Sequence, residues 1–149
     1  MSPQNPATSR RHTRALAMQA HYQQQLDGTE RAELLRQFRE RREHERVDAA
    51  YFETLINESM ALLEELDGEI TTLADRDFEQ LNAVEIAVLR VALTEFRRHI
   101  EIPYKVVINE AIELTKRFGA EDGHKYVNAI LDRAATTHRA LETAKRQPR

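Results

Sequence analysis

The residues best suited to chemistry lie in one short stretch, FGAEDGHKYVNAIL, which begins at Phe118. It combines two aromatic rings, those of Phe118 and Tyr126, with Asp122, His124 and Lys125. A metal site, a general acid–base pair and a nucleic-acid surface are the chemistries that such residues serve. On nucleic acid, the rings would stack unpaired bases, while Lys125 and the amides at a helix start would attract phosphate. Packing of Phe118 against Tyr126 across the turn is the competing interpretation.

Metal and catalytic sites have little support elsewhere in the sequence. The six histidines form no HExxH motif, and no calcium loop, G-x-S-x-G elbow or glycine-rich phosphate loop occurs. The absence of cysteine excludes disulfides, thiolate metal sites and a cysteine nucleophile. Glu110 and Glu113 share a helix face, but pairing with Lys116 and Arg117 is the simpler interpretation of them. We therefore predict no metal, no cofactor and no enzymatic activity.

Composition and charge bound the class of protein. A chain of 149 residues with 41 % hydrophobic residues predicts one domain with a real core. No apolar run reaches the roughly 20 residues of a membrane span, and no secretory signal is recognisable, which predicts a soluble cytoplasmic protein. The net charge of −3 conceals basic ends, because the first 26 residues carry Arg10, Arg11 and Arg14 but no acid. Such ends indicate either an anionic partner or solvated tails.

Apolar residues recur at spacings of three and four almost throughout, which predicts an all-α fold of six or seven helices. The expected helices cover residues 9–26, 30–46, 48–66, 82–99, 103–118 and 122–135, with a short helical piece near 70–73. The predicted organisation is a disordered tail over 1–8, a helical domain over 9–138 and a basic tail over 139–149.

Local residue types predict where these helices begin and end. Thr8 or Ser9 is expected to cap the first helix and Gly28 to end it. Gly68 is predicted to end or kink the third helix. Gly119 is expected to end a helix in a left-handed conformation, and we expect Asp122 to cap the last helix.

The segment 82–99 is the most apolar part of the chain and is expected at the centre of the core. Asn82 is predicted to cap it, with Glu85 three residues later completing a capping box.

Three segments carry a resemblance to a known family: RRHTRALAMQAHYQQQL, VEIAVLRVALTEF and IPYKVVINEAIELTKRFGAEDGHKYVNAILDRAA. Together they resemble the NusB family of bacterial transcription antitermination factors, most strongly over residues 82–135. The stretch between the first two segments is similar mainly in its helix pattern.

The resemblance implies two small three-helix lobes packed into one domain. It also implies binding of boxA, a single-stranded RNA element of nascent ribosomal or phage transcripts. The implied protein partners are NusE, a ribosomal small-subunit protein, and through it RNA polymerase and the other Nus factors. A homodimer is left open. A helical protein-interaction adaptor without RNA binding is the alternative function.

Family roles transfer to matching positions of this sequence. The RNA-binding residues implied are Arg10, Arg11, Arg14, Gln19, Phe118, Asp122, Lys125 and Tyr126. The NusE-facing residues implied are Tyr22, Leu26 and Glu85. His12 and Thr13 interrupt the arginine motif, which is often richer in arginine in the family, so phosphate affinity is expected to be weaker or supplied partly by the basic C-terminal tail.

Overall fold

A computed structural model describes residues 5–145, and every regular element within them is helical. Eight α-helices occur in this part of the chain: α1 (Pro6–Asp27), α2 (Arg31–Arg39), α3 (Ala49–Ala61), α4 (Leu63–Ala74), α5 (Ala83–Arg98), α6 (Tyr104–Phe118), α7 (Gly123–His138) and α8 (Ala140–Lys145). Two short 3₁₀ turns, Arg42–Arg46 and Phe78–Gln80, lie between them. The prediction of an all-α fold is confirmed.

The first helix starts earlier than the sequence pattern predicted. The side chain of Asn5 accepts a hydrogen bond of 2.8 Å from the backbone nitrogen of Ala7, and Pro6 occupies the first helical position. An Asn cap followed by proline is a favourable helix start, so the helix begins there and not at the predicted caps Thr8 or Ser9. Gly28 ends the helix in a left-handed conformation with φ 70°, as predicted. The rest of the predicted terminal tails, residues 1–4 and 146–149, lies outside the described residues.

The predicted helix over 30–46 is shorter than expected. α2 ends at Arg39, and the chain then turns into the 3₁₀ segment Arg42–Arg46, which packs against α1. Beyond Phe38, which is fully buried, no large apolar residue is available to hold another helical turn on the core until Val47. Helices in proteins are stabilised mostly by burying such a face.

The prediction that Gly68 ends or kinks a helix is wrong. The break falls at Leu62, between α3 and α4, and Gly68 lies inside α4. The reason is a tertiary contact beside the glycine. The Asp67 carboxylate accepts hydrogen bonds of 2.7 and 2.8 Å from the buried guanidinium of Arg90. This contact holds α4 against α5 through the residue next to the glycine.

α5 is the central helix, as predicted. Its residues from Glu85 to Phe96 are all buried, and it contacts α1, α3, α4, α6 and α7. The Asn82 side chain accepts hydrogen bonds from the nitrogens of Val84 and Glu85, which confirms the cap. The Glu85 side chain does not complete the capping box, because it lies against the backbone of Gly123 instead.

Arg139, which charge patterning assigned to the basic tail, belongs to the folded body. It is 3 % exposed, and its guanidinium donates to backbone carbonyls at the end of α5 and in the loop that follows. The acceptors are the oxygens of Glu95, Phe96, His99 and Ile102, at 2.7–3.2 Å. The oxygens of Glu95 and His99 also accept backbone hydrogen bonds, whereas the Phe96 oxygen at the end of the helix is satisfied by this cation.

Candidate nucleic-acid interface

The turn between α6 and α7 departs from the expected capping geometry. Gly119 is extended, with φ −94° and ψ −175°, so the predicted left-handed conformation is wrong. A Cβ atom there would lie 2.8 Å from the carbonyl oxygen of Thr115, so close approach explains the glycine. Asp122 is the left-handed residue, with φ 66°, and its side chain makes no capping hydrogen bond. Its carboxylate lies 3.4 Å from the Lys125 ammonium on the surface.

Phe118 presents its ring beside the N-terminal half of α1. The side chain is 36 % exposed, and the guanidinium carbon of Arg117 lies 4.8 Å from the ring centroid. Phe118 lines a cleft of about 80 Å³ whose other walls include His12, Gln19 and Arg46. The structure therefore brings an exposed aromatic ring and positive side chains from distant parts of the sequence onto one surface.

Tyr126 is in a different environment from Phe118. Its ring is half-buried, and the guanidinium carbon of Arg76 lies 4.8 Å from its centroid. The hydroxyl is buried without a hydrogen-bond partner among the described residues. Burial raises the pKa of Tyr126, and the nearby Glu85 carboxylate adds to this effect. Tyr126 does not line the cleft beside Phe118.

The side chains of the three N-terminal arginines lie in three different environments. Arg11 is exposed, with its Nε 3.2 Å from a Glu110 carboxylate oxygen. Arg10 is half-buried, and its guanidinium carbon lies 3.7 Å above the ring centroid of Tyr51. Arg14 is buried, and its Nε donates hydrogen bonds of 2.9 and 3.0 Å to both oxygens of Glu95. Only Arg10 and Arg11 are therefore accessible to a ligand.

A buried network of acid and hydroxyl groups surrounds Arg14. The Tyr51 hydroxyl donates a hydrogen bond to the same Glu95 carboxylate, and Arg14 Nη1 also lies 3.8 Å from Glu110. Burial raises the pKa of Tyr51, and Glu95 raises it further. The network connects α1, α3, α5 and α6 directly beneath Arg10 and Arg11, and so fixes the position of these two side chains.

The remaining RNA-binding residues implied by the sequence are accessible. Gln19 lines the cleft beside Phe118, and its side-chain oxygen accepts a hydrogen bond of 3.4 Å from Arg41. Lys125 is exposed at the start of α7, close to Asp122. The structure thus places Gln19 near Phe118, and Lys125 near the helix start that follows the turn.

Sequence reasoning missed two cations in this region, Arg46 and Arg117. Both line the cleft beside Phe118. Arg117 was expected to pair with Glu113. The Glu113 carboxylate instead lies 3.9 Å from the ammonium nitrogen of Lys116. The arginine density of RERREHER, residues 39–46, was the signal for Arg46. These residues were predicted to continue a helix, so the turn that brings Arg46 to α1 was not predicted.

The residues implied to face NusE lie near one end of α1 and α5. Tyr22 and Leu26 are exposed large hydrophobics on α1. Between them, Gln25 donates a hydrogen bond of 2.8 Å to the carbonyl oxygen of Ala83 at the start of α5. Glu85 is only 8 % exposed, and burial raises its pKa. Tyr22 and Leu26 therefore offer most of the accessible surface of this set.

Residues 5–145 contain neither a metal-binding cluster nor a membrane-spanning helix. No group of three or more histidine, aspartate or glutamate side chains there could hold a metal ion. None of the helices in that range has the length and apolar character needed to cross a bilayer.

Comparison with known proteins places the chain in a family. The NusB family model matches residues 11–136, most of its length. The chain belongs to the NusB family. Because proteins of this family are transcription antitermination factors, the prediction that the chain is not an enzyme is confirmed.

Individual relatives cover most of the chain. The transcription antitermination protein NusB of Xanthomonas campestris pv. campestris strain B100 is 45 % identical over 134 residues, covering 90 % of this chain and 84 % of that protein. NusB of T. maritima has a similar structure, with a TM-score of 0.74 and 31 % identity over 87 % of this chain and 92 % of that one. A crystal structure described as antitermination factors NusB and NusE in complex with dsRNA has the same fold, with a TM-score of 0.72, 24 % identity and coverage of 87 % and 97 %.

Proposed function

We propose that this chain acts in the cytoplasm by binding a boxA-type single-stranded RNA element in nascent ribosomal transcripts together with NusE. Through NusE and the other Nus factors, the complex modifies RNA polymerase so that elongation resists termination. The observation that carries the proposal is the exposed Phe118 ring in a cleft between α1 and its neighbours, where Arg46 and Arg117 supply positive charge. An exposed ring beside positive charge is the arrangement that single-stranded nucleic acid requires.

Each residue of the interface has a proposed role. Phe118 stacks an unpaired base, and Tyr126 supports a second base through the accessible part of its ring. Arg10, Arg11 and Lys125 neutralise phosphates. Gln19 and Asp122 hydrogen-bond to base edges, for which their side-chain amide and carboxylate are suited. Arg14 contributes indirectly, because its buried pair with Glu95 holds α1 in place.

NusE is proposed to bind the neighbouring surface formed by Tyr22 and Leu26, with Glu85 at its edge. The exposed fractions of Tyr22 and Leu26, 38 % and 66 %, are high for large hydrophobic side chains. Exposed aromatic and aliphatic residues of this kind are typical anchors of protein interfaces. We expect that NusE binding tightens the RNA complex, because both surfaces include α1.

The test is a fluorescence anisotropy titration of the full chain with a labelled boxA-like single strand, with and without NusE. A scrambled strand and a duplex of the same sequence are the comparison ligands. We expect that Phe118→Ala weakens binding about tenfold or more, since stacking contributes about 1–3 kcal/mol per base. Ile100→Ala, which removes an even more exposed apolar side chain from the loop after α5, should leave the affinity unchanged.

Two results would overturn the proposal. Equal affinity for the boxA-like and scrambled strands would remove boxA as the ligand. Binding to NusE without measurable RNA affinity, in the same range of salt concentrations, would instead establish the helical adaptor function. Tyr22→Ala separates the two surfaces, because it should reduce the effect of NusE while preserving binding to RNA alone.

A further inference from the structure

The cleft beside Phe118 collects basic residues from three separate elements, two arginines and one histidine. His12 comes from α1, Arg46 from the 3₁₀ turn Arg42–Arg46, and Arg117 from the last turn of α6. None of the three is among the RNA contacts assigned above. They occupy positions far apart in the sequence, and the packing of the turn after α2 against α1 brings Arg46 to His12.

The electrostatics of His12 show that the charges meet at one place. Partial burial is the largest cause that lowers its pKa, and the positive charges of Arg46 and Arg117 lower it further. Both guanidinium groups therefore act on the same imidazole. Glu43 also lines the cleft and opposes an anion there.

The size of the cleft selects the kind of ligand. Its volume of about 80 Å³ is far below the roughly 300–1,000 Å³ of pockets that enclose whole small molecules. A nucleobase bound to Phe118 would lie on the outer face of the ring, since 36 % of that side chain is exposed. The space between His12, Arg46 and Arg117 then suits the phosphate group attached to such a nucleotide.

We propose that Arg46 and Arg117, with His12 between them, form a phosphodiester-binding site for the nucleotide whose base stacks on Phe118. Guanidinium groups bind phosphate oxygens through paired N–H donors, which fixes the orientation of the phosphate as well as its position. The site supplies positive charge at the point where His12 and Thr13 interrupt the N-terminal arginines. It rests on the proposed RNA-binding function and adds to it a second group of cations contributed by the 3₁₀ turn and α6.

The test compares single variants in the same anisotropy titration, across a series of salt concentrations. Arg46→Ala and Arg117→Ala should each weaken binding roughly threefold or more and reduce the slope of log affinity against log salt by about 0.7, as loss of one phosphate contact requires. Glu43→Gln should tighten binding. Arg36→Ala is the matched control, because Arg36 lies on α2 paired with Glu33 and Glu40, outside the cleft.

The outcomes separate this inference from the function on which it rests. If the unmodified chain binds no single-stranded RNA, both fall. If it binds, and Phe118→Ala weakens it while Arg46→Ala and Arg117→Ala behave like Arg36→Ala in affinity and salt slope, only the phosphate site is overturned. Helicity and thermal midpoints of all variants distinguish lost contacts from lost folding, and Glu43→Gln gives an effect of opposite sign that unfolding would not produce.

Discussion

The Arg14 guanidinium and the Glu95 carboxylate form an ion pair inside the protein, with Nε 2.9 Å from Oε2. Only 6 % of the Arg14 side chain and 1 % of the Glu95 side chain are exposed, although 81 positions separate them in the sequence. The pair joins α1 to the central helix α5. An arginine of the predicted RNA-binding motif is therefore part of the internal structure.

Arg14→Ala should destabilise the fold by about 3–5 kcal/mol, because it leaves the Glu95 charge buried without its partner. The measurement is the free energy of unfolding in urea. Arg11→Ala is the matched control, since its pair with Glu110 has an exposed arginine and should contribute at most about 1 kcal/mol. Equal stability of the two variants would contradict a structural role for Arg14.

Tyr126→Phe should keep the stability within about 1 kcal/mol of the unmodified chain or raise it, because within residues 5–145 the buried hydroxyl has no hydrogen-bond partner to lose. RNA affinity should also be preserved, since phenylalanine keeps the ring and its contact with Arg76. Urea unfolding and the anisotropy titration measure the two quantities. A stability loss of several kcal/mol would show that the hydroxyl makes an essential hydrogen bond.

Stability should decrease in mild acid because of His21. Burial, with a smaller contribution from Arg90, lowers the pKa of His21 to about 3 from the ordinary 6.5. The unfolded chain takes up a proton below pH 6.5, whereas the folded chain does so only near pH 3. The contribution of His21 is therefore complete above pH 6.5 and is lost progressively toward pH 3, with a loss of about 2 kcal/mol at pH 5.

The variant that checks this effect is His21→Gln, which does not titrate and can still hydrogen-bond to Ser59, as the His21 Nε2 atom does at 2.6 Å. Its unfolding free energy should fall less between pH 7 and pH 5 than that of the unmodified chain. His124→Gln removes a half-buried histidine at the start of α7 and should retain the full acid sensitivity. Identical pH profiles for all three proteins would rule out His21 as the cause.

RNA affinity should increase as the pH falls from about 7.5 to 6, if a phosphate binds beside His12. The phosphate would offset the guanidinium charges that help to keep the pKa of His12 low. The bound state would then take up a proton, and affinity would rise with proton concentration. The charged groups facing His12 are Arg11 on α1, Glu43 and Arg46 on the 3₁₀ turn, and Glu110, Glu113 and Arg117 on α6.

His12→Gln should flatten this pH dependence while retaining most of the affinity at pH 7.5, where the imidazole is neutral. Titrations at constant ionic strength isolate the proton effect from salt screening. An unmodified chain whose affinity is the same at pH 6 and 7.5 would show that no phosphate lies against His12.

Features encoded by neighbouring residues were predictable from the sequence. Asn82 caps α5 through nitrogens two and three residues away, and Gly28 ends α1 within one turn. The burial of α5 follows from apolar residues around its whole circumference. Features that depend on distant partners were not predictable: Leu62 carries no signal for the break between α3 and α4, and Arg14 is buried because Glu95 meets it in the folded chain.

The candidate site shows the same division. Periodicity places both Phe118 and Tyr126 close to the turn, but it does not show which ring stays open. That depends on what packs over each ring, and Arg76, which lies against Tyr126, is 50 positions away in the sequence. The contribution of Arg46 depends on where the chain turns after α2, and the density of charge there left no apolar pattern from which to predict the turn.

The position of Arg139 has a consequence for synthesis of the chain on the ribosome. α5 is the centre of the protein, yet the Phe96 carbonyl oxygen near its end accepts a hydrogen bond from a side chain 43 positions downstream. In a nascent chain that has emerged only as far as α7, the Phe96 carbonyl oxygen must hydrogen-bond to water instead. Completion of this helix end therefore waits until Arg139 is translated, and a chain truncated before Arg139 would be expected to accumulate poorly in cells.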